Sequence, residues 1–169
     1  QRQELSRLAS EDDLTGVANR RYGDRRLREE MARFRRYDAP FTLCFCDLDQ
    51  FKRVNDRFSH DVGDTVLRRV ADLLQTNLRE EDVVMRYGGE EFVLLLPETR
   101  KSEAVVACEK LRHAIEACEF GTVEGALAVT MSFGVADCSE APDVGGILRV
   151  ADERLYQAKS RGRNRVESG

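Results

Sequence analysis

Apolar residues recur along the chain at two spacings, and these spacings predict where helices and strands form. Repeats of three to four positions are typical of one buried helix face, as with Leu27, Met31 and Phe34 between about 23 and 37. The same spacing predicts helices over about 61–78, 104–118 and 147–158. Leu5 and Leu8 lie among charged residues, so they predict either the end of a helix or a frayed tail.

Three other apolar patterns predict strands. Residues 41–48 form a short, nearly continuous apolar run, which is typical of a strand covered on both faces. Residues 127–135 alternate between apolar and polar, and two further runs, 83–87 and 92–96, flank a Gly-Gly pair that predicts a hairpin. The order of elements predicts an α+β domain with a βαββαβ core, one leading helix and one trailing helix.

Length and composition indicate one soluble domain. The 169 residues are 41% hydrophobic and carry a net charge of -4, so we expect neither a polynucleotide partner nor contact of this domain with a membrane. The five cysteines include no C-x-x-C pair, which favours free thiols and a cytoplasmic location. Because the chain starts at Gln1, we expect a longer protein, with 1–11 as the end of an upstream helix and 12–169 as the catalytic domain.

Acidic residues follow the central strand and occupy the hairpin turn. Asp47 and Asp49 are two positions apart at the end of the strand and are expected to face the same side. Glu90 and Glu91 are adjacent in the turn, where they would repel each other unless a cation or solvent screened them. These residues alone allow either a Mg²⁺ site for phosphoryl transfer or a solvated hairpin tip.

Motifs throughout the chain resemble the GGDEF family, in its GGEEF form. In chain order they are Asp13-Leu14-Thr15-Gly16 with Asn19-Arg20-Arg21, Asp47-Leu48-Asp49 with Phe51-Lys52 and Asn55-Asp56, His60 with Gly63-Asp64, Gly88-Gly89-Glu90-Glu91-Phe92, and Lys159 with Gly162-Arg163-Asn164-Arg165. The sequence departs from the family pattern at Val17, where Leu is common, and at Ser59, where Gly usually precedes the His. The resemblance covers nearly the whole chain.

The resemblance implies a diguanylate cyclase, which condenses two GTP into cyclic di-GMP and two pyrophosphates on a palm-like domain related to the nucleotidyl cyclases. It implies a central antiparallel sheet flanked by helices. It also implies that Asp47, the Leu48 carbonyl and Glu91 bind Mg²⁺ or Mn²⁺, while Glu90 is metal-associated and helps to deprotonate the 3′-hydroxyl. Lys52 is expected to offset charge on the triphosphate as a second catalytic group.

The resemblance further implies the residues that hold GTP. Asn55 and Asp64 would read the guanine edge, and Asp64 favours guanine over adenine. Lys159 and Arg163, expected four apart on one helical face, would hold phosphates, although cations also suit a solvated helix end. The remaining substrate residues implied are Phe51, His60, Gly88 and Gly89. His60 is open to two interpretations, a substrate contact or a helix cap, and Asn19 and Arg20 are expected to organise the turn before the first helix.

A further motif implies control by the product. Arg79 and Asp82 form R-x-x-D nine residues before Gly88, the position of the family's inhibitory site for cyclic di-GMP, with Lys110 as a secondary contact. The reaction joins two substrates, so the resemblance implies a homodimer, switched by an upstream sensor or regulatory region. The alternative is a catalytically silent GGDEF domain that acts as a cyclic di-GMP receptor.

Overall fold

The computed structural model describes residues 1–121 and 125–169, which form six helices and five strands. The helices are α1 (Arg2–Ser10), α2 (Arg20–Tyr37), α3 (Phe51–Arg57), α4 (His60–Thr76), α5 (Lys101–Ala117) and α6 (Val144–Ser160). The strands are β1 (Phe41–Leu48), β2 (Val83–Arg86), β3 (Glu91–Pro97), β4 (Met131–Asp137) and β5 (Val166–Glu167). No helix in these described ranges is long and apolar enough to span a membrane.

The strands form one sheet in the order β2-β3-β1-β4-β5, in which only the β4–β5 pair is parallel. The predicted α+β class and βαββαβ core are confirmed. β1 lies at the centre, and alternate residues enter two apolar layers on opposite faces of the sheet. Cys44 and Cys46 face the layer that contains α4 and α5, whereas Leu43 and Phe45 face the layer that contains α2 and α6. This double burial explains the continuous apolar run of β1.

The structure differs from the sequence prediction in short or irregular segments. α3 and β5 were not predicted, because seven and two residues are too few to show a period. β4 begins at Met131, although Leu127 and Val129 are only 8% and 6% exposed. The backbone N–H of Phe120 donates to the Leu127 carbonyl. The alternating apolar residues before Met131 are therefore buried without being part of a strand.

Helix α6 packs unusually close to the sheet at Gly134 of β4. A Cβ at this position would overlap the Ala151 carbonyl oxygen and the Leu155 nitrogen of α6. The missing side chain therefore lets the helix backbone rest directly on β4. This contact fixes the course of α6, whose last turn carries Lys159 to the end of β1.

Helix α1 settles the open prediction for the first residues in favour of a helix. It buries none of its residues, and Leu5 and Leu8 are 66% and 63% exposed. The bond from the Asn19 N–H to the Ser10 carbonyl holds the end of α1 beside the start of α2.

Candidate functional site

The end of β1 and the β2–β3 hairpin bring the predicted metal ligands together. Asp47 lies directly opposite Glu91 in the antiparallel register of β1 and β3. The Leu48 N–H donates to the Glu90 carbonyl at 3.3 Å, so the hairpin turn continues alongside the end of β1. Directly opposed residues lie close enough for their side chains to act on one ligand. One cluster therefore forms where β1 ends and β3 begins, and it consists of Asp47, Leu48, Glu90 and Glu91.

The ammonium group of Lys159 lies against the same cluster. Its Nζ is 2.7 Å from Asp47 Oδ1 and 3.2 Å from the Leu48 carbonyl oxygen. It also lies 2.8 Å from Asp49 Oδ1, which makes it a shared partner of two carboxylates. The oxygens at the end of β1 thus converge on a point that binds a cation.

Two carboxylates of the cluster, Asp47 and Glu91, have a raised pKa. Burial, together with the charges of Glu90 and Glu91, raises the pKa of Asp47 to about 6, although Lys159 acts in the opposite direction. Burial, Glu90 and Asp152 likewise raise the pKa of Glu91. The negative charge here exceeds what Lys159 neutralises, which favours binding of a further cation.

The donor set fits Mg²⁺ or Mn²⁺. Within residues 1–121 and 125–169, no group of three or more Asp, Glu, His or Cys side chains is arranged to hold a metal. The cluster instead supplies two carboxylates and one carbonyl oxygen. Mg²⁺ commonly takes one or two carboxylates and completes its octahedron with water and substrate phosphates, so this partial set suits a nucleotide-dependent metal site.

Asp49 lies beside the cluster in a different environment. It is 6% exposed, and its oxygens accept from the Thr130 and Ser132 hydroxyls at 2.7 Å each. Burial alone would raise the pKa of Asp49, but hydrogen bonds from Lys159, Thr130 and Ser132 outweigh it and lower the pKa. The pKa values of Asp47 and Asp49, the two acids at the end of β1, are therefore shifted in opposite directions.

The hairpin turn is braced from the N-terminal segment by two residues that sequence reasoning missed. Arg86 donates to the Gly89 carbonyl at 2.9 and 3.1 Å and to Asp12 at 3.2 Å. Asp12 also accepts from the Thr15 hydroxyl and N–H. Asp12 makes these contacts, although the D-x-L-T-G motif was read from the next residue, Asp13. For Arg86, its position two residues before the Gly-Gly pair was the feature of the sequence that could have indicated a contact with the turn.

Asn19 and Arg20 were predicted to organise the turn before the first helix. Asn19 is the N-cap of α2 and accepts from the Tyr22 N–H at 2.9 Å, as predicted. Arg20 reaches farther: it donates to the Tyr87 hydroxyl at 2.8 Å and lies 3.9 Å from the centre of that ring. Its charge also acts to lower the pKa of Glu91, so Arg20 adds a cation near the cluster.

Helices α3 and α4 pack together at Asn55, one member of the predicted guanine-reading pair. A Cβ on Gly63 would overlap the Asn55 side chain, so Asn55 packs against the residue that precedes Asp64. Lys52 and His60 are exposed. Ser59, rather than His60, caps α4, because its hydroxyl accepts from the Val62 N–H at 3.2 Å. The capping interpretation of His60 is therefore wrong, and the family departure at Ser59 supplies the cap.

Arg163 does not lie on α6, so the prediction that it shares a helical face with Lys159 is wrong. α6 ends at Ser160 and is capped by Arg161. Gly162 follows with a φ of 119°, and Arg163 has a φ of 65°. The N–H of Arg163 donates to the Ala158 carbonyl, which is the Schellman arrangement that reverses the chain after a helix.

A cavity lies at the far end of β3 from Glu91. Its volume is about 410 Å³, and Arg79, Asp82 and Lys110 all line it, so the three residues of the predicted product site share one space. One Arg79 nitrogen donates to Asp82 at 3.0 Å, to the Pro97 carbonyl at 2.8 Å and to the Thr99 hydroxyl at 2.7 Å.

Comparison with known proteins gives the class. The family model described as "Diguanylate cyclase, GGDEF domain" matches residues 9–165, and the chain belongs to this family. It is 38% identical over 157 residues to diguanylate cyclase DosC of Escherichia coli strain K12, which covers 92% of this chain and 34% of DosC. The chain thus spans between about a quarter and about a half of the length of the curated relatives it matches.

Solved structures agree with this assignment. Diguanylate cyclase SiaD of Pseudomonas aeruginosa, in complex with its activator SiaC, has a TM-score of 0.93 at 38% identity, over 99% of this chain and 65% of SiaD. The GGDEF domain of DgcB from Caulobacter crescentus, in complex with c-di-GMP, has a TM-score of 0.90 at 31% identity, over 95% of each chain.

Proposed function

We propose that this domain is an active diguanylate cyclase that condenses two GTP into cyclic di-GMP and releases two pyrophosphates. The observation that carries the proposal is the end of β1, where Asp47 and the Leu48 carbonyl both contact the Lys159 ammonium group and where Glu91 lies opposite Asp47 in the strand register. The GGDEF family membership and the relatives named as diguanylate cyclases support the same reaction.

The proposed metal is Mg²⁺ or Mn²⁺, held by Asp47, the Leu48 carbonyl and Glu91 with Glu90 beside them. When bound, such a metal offsets phosphate charge and lowers the pKa of the attacking hydroxyl. We assign Glu90 to receive the proton of the 3′-hydroxyl. Among the acids of the cluster, Glu90 is the one directly after Gly89, where the turn is open. A Cβ at Gly89 would meet no atom within 4 Å, so the turn leaves room for a nucleotide.

The chain's cations are proposed to hold the triphosphate. Lys159 already lies at the end of β1, and Arg163 follows it on the turn after α6. Lys52 is exposed on α3 and is free to reach a phosphate oxygen. We assign Asn55 and Asp64 to the guanine edge, because Asn55 packs against Gly63, the residue before Asp64. The other proposed substrate-binding residues are Phe51, His60, Gly88 and Gly89.

Two such domains must face each other, because each site holds one GTP and the product joins two. We propose that residues 1–11 end an upstream helix that pairs two copies of the domain, residues 12–169, and that a regulatory region controls this pairing. The exposed Leu5 and Leu8 suit contact with another helix. We propose a cytoplasmic location, which the five free thiols and the supply of GTP there support.

We further propose that cyclic di-GMP inhibits the enzyme from the cavity lined by Arg79, Asp82 and Lys110. An Arg fork suits a phosphate or guanine edge, and the Asp can accept from the base. The same cavity supports the second candidate function, a silent domain that binds cyclic di-GMP without making it.

The test is turnover of the purified domain at high protein concentration with GTP and Mg²⁺, with nucleotides resolved by chromatography. We expect cyclic di-GMP from GTP and none from ATP. Glu91→Ala should abolish turnover by removing a metal ligand, whereas Glu109→Ala, a surface carboxylate paired with Arg112, should retain it. Absence of product even after forced dimerisation, with cyclic di-GMP binding that Arg79→Ala removes, would establish the receptor instead.

A further inference from the structure

The buried carboxylate of Asp49 connects the segment after β1, where it lies, with three other parts of the molecule: the start of β4, α6 and the turn after α6. Thr130 and Ser132 donate to it from the segment that enters β4, at 2.7 Å each. Lys159 donates from α6 at 2.8 Å, and the backbone N–H of Asn164 donates from the turn beyond α6 at 3.0 Å. Four donors saturate the carboxylate, so Asp49 is a poor candidate for a metal ligand despite its place two residues after Asp47.

The turn that Asp49 holds has a costly backbone. Gly162, Arg163 and Asn164 follow one another with φ of 119°, 65° and 46°, and the left-handed region is unfavourable for a residue such as Arg163. Such a conformation persists only where surrounding contacts determine it. The Asn164 side chain supplies contacts to Arg112 and Glu116 of α5, and its backbone N–H supplies the bond to Asp49.

The charge of Asp49 also sets the position of Lys159. The ammonium group is shared between Asp47 Oδ1 and Asp49 Oδ1 at nearly equal distances, 2.7 and 2.8 Å. Without the second charge, Asp47 alone would attract the ammonium and draw it toward the proposed metal ligand. Asp49 therefore acts on both proposed phosphate-binding cations, directly on Lys159 and through the Asn164 backbone on Arg163.

We propose that Asp49 is a positioning residue for the triphosphate: its buried charge places Lys159 and fixes the turn that presents Arg163. This inference rests on the proposed function, because it names how that same site is assembled. It assigns Asp49 no contact with substrate or metal. It predicts that loss of the charge weakens the binding of the outer phosphates and leaves the binding of the guanine unaffected.

The experiment compares Asp49→Asn with the unmodified domain by calorimetric titration in the presence of Mg²⁺. The two probes are GMP and the α,β-methylene analogue of GTP, which differ in the outer phosphates. We expect Asp49→Asn to lower the preference for the analogue over GMP by about tenfold, the size of a charge-assisted contact, with GMP affinity unchanged. Ser132→Ala is the matched control, because it removes one bond to Asp49 and keeps the charge; its preference should not change.

A second comparison identifies the route of the effect. Lys159→Met should also lower the preference, and the double variant should lower it by less than the product of the single effects, because both act through one ammonium group. Asp49→Ser carries the same expectation if Asp49→Asn does not fold.

Three outcomes would overturn an assignment. An unchanged preference in the folded neutral variant contradicts the positioning role. An equal loss of affinity for both nucleotides indicates a purely structural residue and contradicts it too. Failure of the unmodified domain to bind either guanine nucleotide contradicts the proposed function itself, whatever Asp49 does.

Discussion

Arg79 shows how one side chain is prepared for a ligand. Its guanidinium group is half exposed, while Asp82, the Pro97 carbonyl and the Thr99 hydroxyl hold its inner nitrogens. Hydrogen bonding to Asp82 raises the pKa of Arg79 further, so the group is charged at any physiological pH. The other terminal nitrogen lies 3.4 Å from Glu81, and the residue lines the cavity. Because these partners already hold the cation in place, it suits an anion-binding role.

Arg79→Ala should therefore relieve product inhibition and leave the initial rate unaffected. The initial rate depends on the cluster at the end of β1, which Arg79 does not contact. We expect the concentration of added cyclic di-GMP that halves the rate to rise at least about tenfold, because charge-assisted bonds to the ligand are lost. Rates are measured as pyrophosphate release at increasing cyclic di-GMP.

Glu80→Ala provides the control for Arg79→Ala. Glu80 is exposed within the same R-x-x-D segment and should leave inhibition intact. Unchanged inhibition in Arg79→Ala would remove the cavity from the regulation of this enzyme.

The sequence predicted the site at the scale of single residues only where local spacing determines geometry. Asp47 and Glu91 follow from a strand end and a hairpin turn, whose antiparallel pairing brings them opposite each other. Arg163 was misplaced because the helical period was extended through Gly162, where the chain reverses. Asp12, Arg86 and Asp49 act through partners distant in the sequence, and no local period records such contacts.

An ion-pair network centred on Glu140 holds the connection between β4 and α6 in place. Glu140 accepts from both terminal nitrogens of Arg154 at 2.6 and 2.7 Å, from Lys101 at 3.3 Å and from the Asp137 N–H at 2.9 Å. The hydrogen bonds from Arg154 dominate and lower the pKa of Glu140 to about 2. The loop between β4 and α6 is thus tied to α5, β4 and α6 at once.

Glu140→Gln should lower the free energy of unfolding at pH 7 by about 2 kcal/mol, allowing for partial solvent screening. Because folding lowers the Glu140 pKa from 4.5 to about 2, its stabilisation is complete above pH 4.5 and is lost as pH falls toward 2. The variant should therefore lose less stability than the unmodified protein over that acid range. Denaturant unfolding at a series of pH values measures the difference.

Glu153→Gln controls for a general loss of negative charge near Arg154. Glu153 is exposed and is only a minor influence on the Arg154 pKa, so its variant should follow the unmodified protein at every pH. Equal pH profiles for all three proteins would show that the Glu140 network contributes nothing to stability.

The sequence predicted the long, buried helices and strands well and missed the short ones. β1 agrees with its prediction at both ends, because burial on two faces marks every residue of the run. α3 is only seven residues long, and the two residues of β5 pair with β4 only because the turn after α6 returns the chain to the sheet edge. Tertiary contacts of this kind override any local signal.

At the scale of the whole molecule, the proposed reaction requires two domains to meet. We expect the specific activity of the domain to rise with protein concentration in the dilute range, because two bound GTP must meet. Fusion of a parallel dimeric coiled coil before α1 should raise activity at low concentration by at least about tenfold through effective concentration. Product formation per domain, measured over a dilution series beside light scattering, tests this expectation.

A single helix of equal length, fused at the same point, is the matched control and should give no gain. Coiled coils of several lengths should be compared, because each added residue rotates the paired domains by about 100°. Specific activity that stays constant on dilution to a monomeric solution would contradict the requirement for two domains.

Strand β3 connects the two sites described above. Glu91 begins it at the proposed metal-binding end, and the Pro97 carbonyl that holds Arg79 ends it. At about 3.3 Å per residue, its seven residues hold these two ends about 20 Å apart. Substitutions around the cavity can therefore accumulate without disturbing the catalytic end, and the catalytic end can be preserved while the cavity changes. The proposed feedback can thus be adjusted or lost within a lineage that keeps the proposed chemistry.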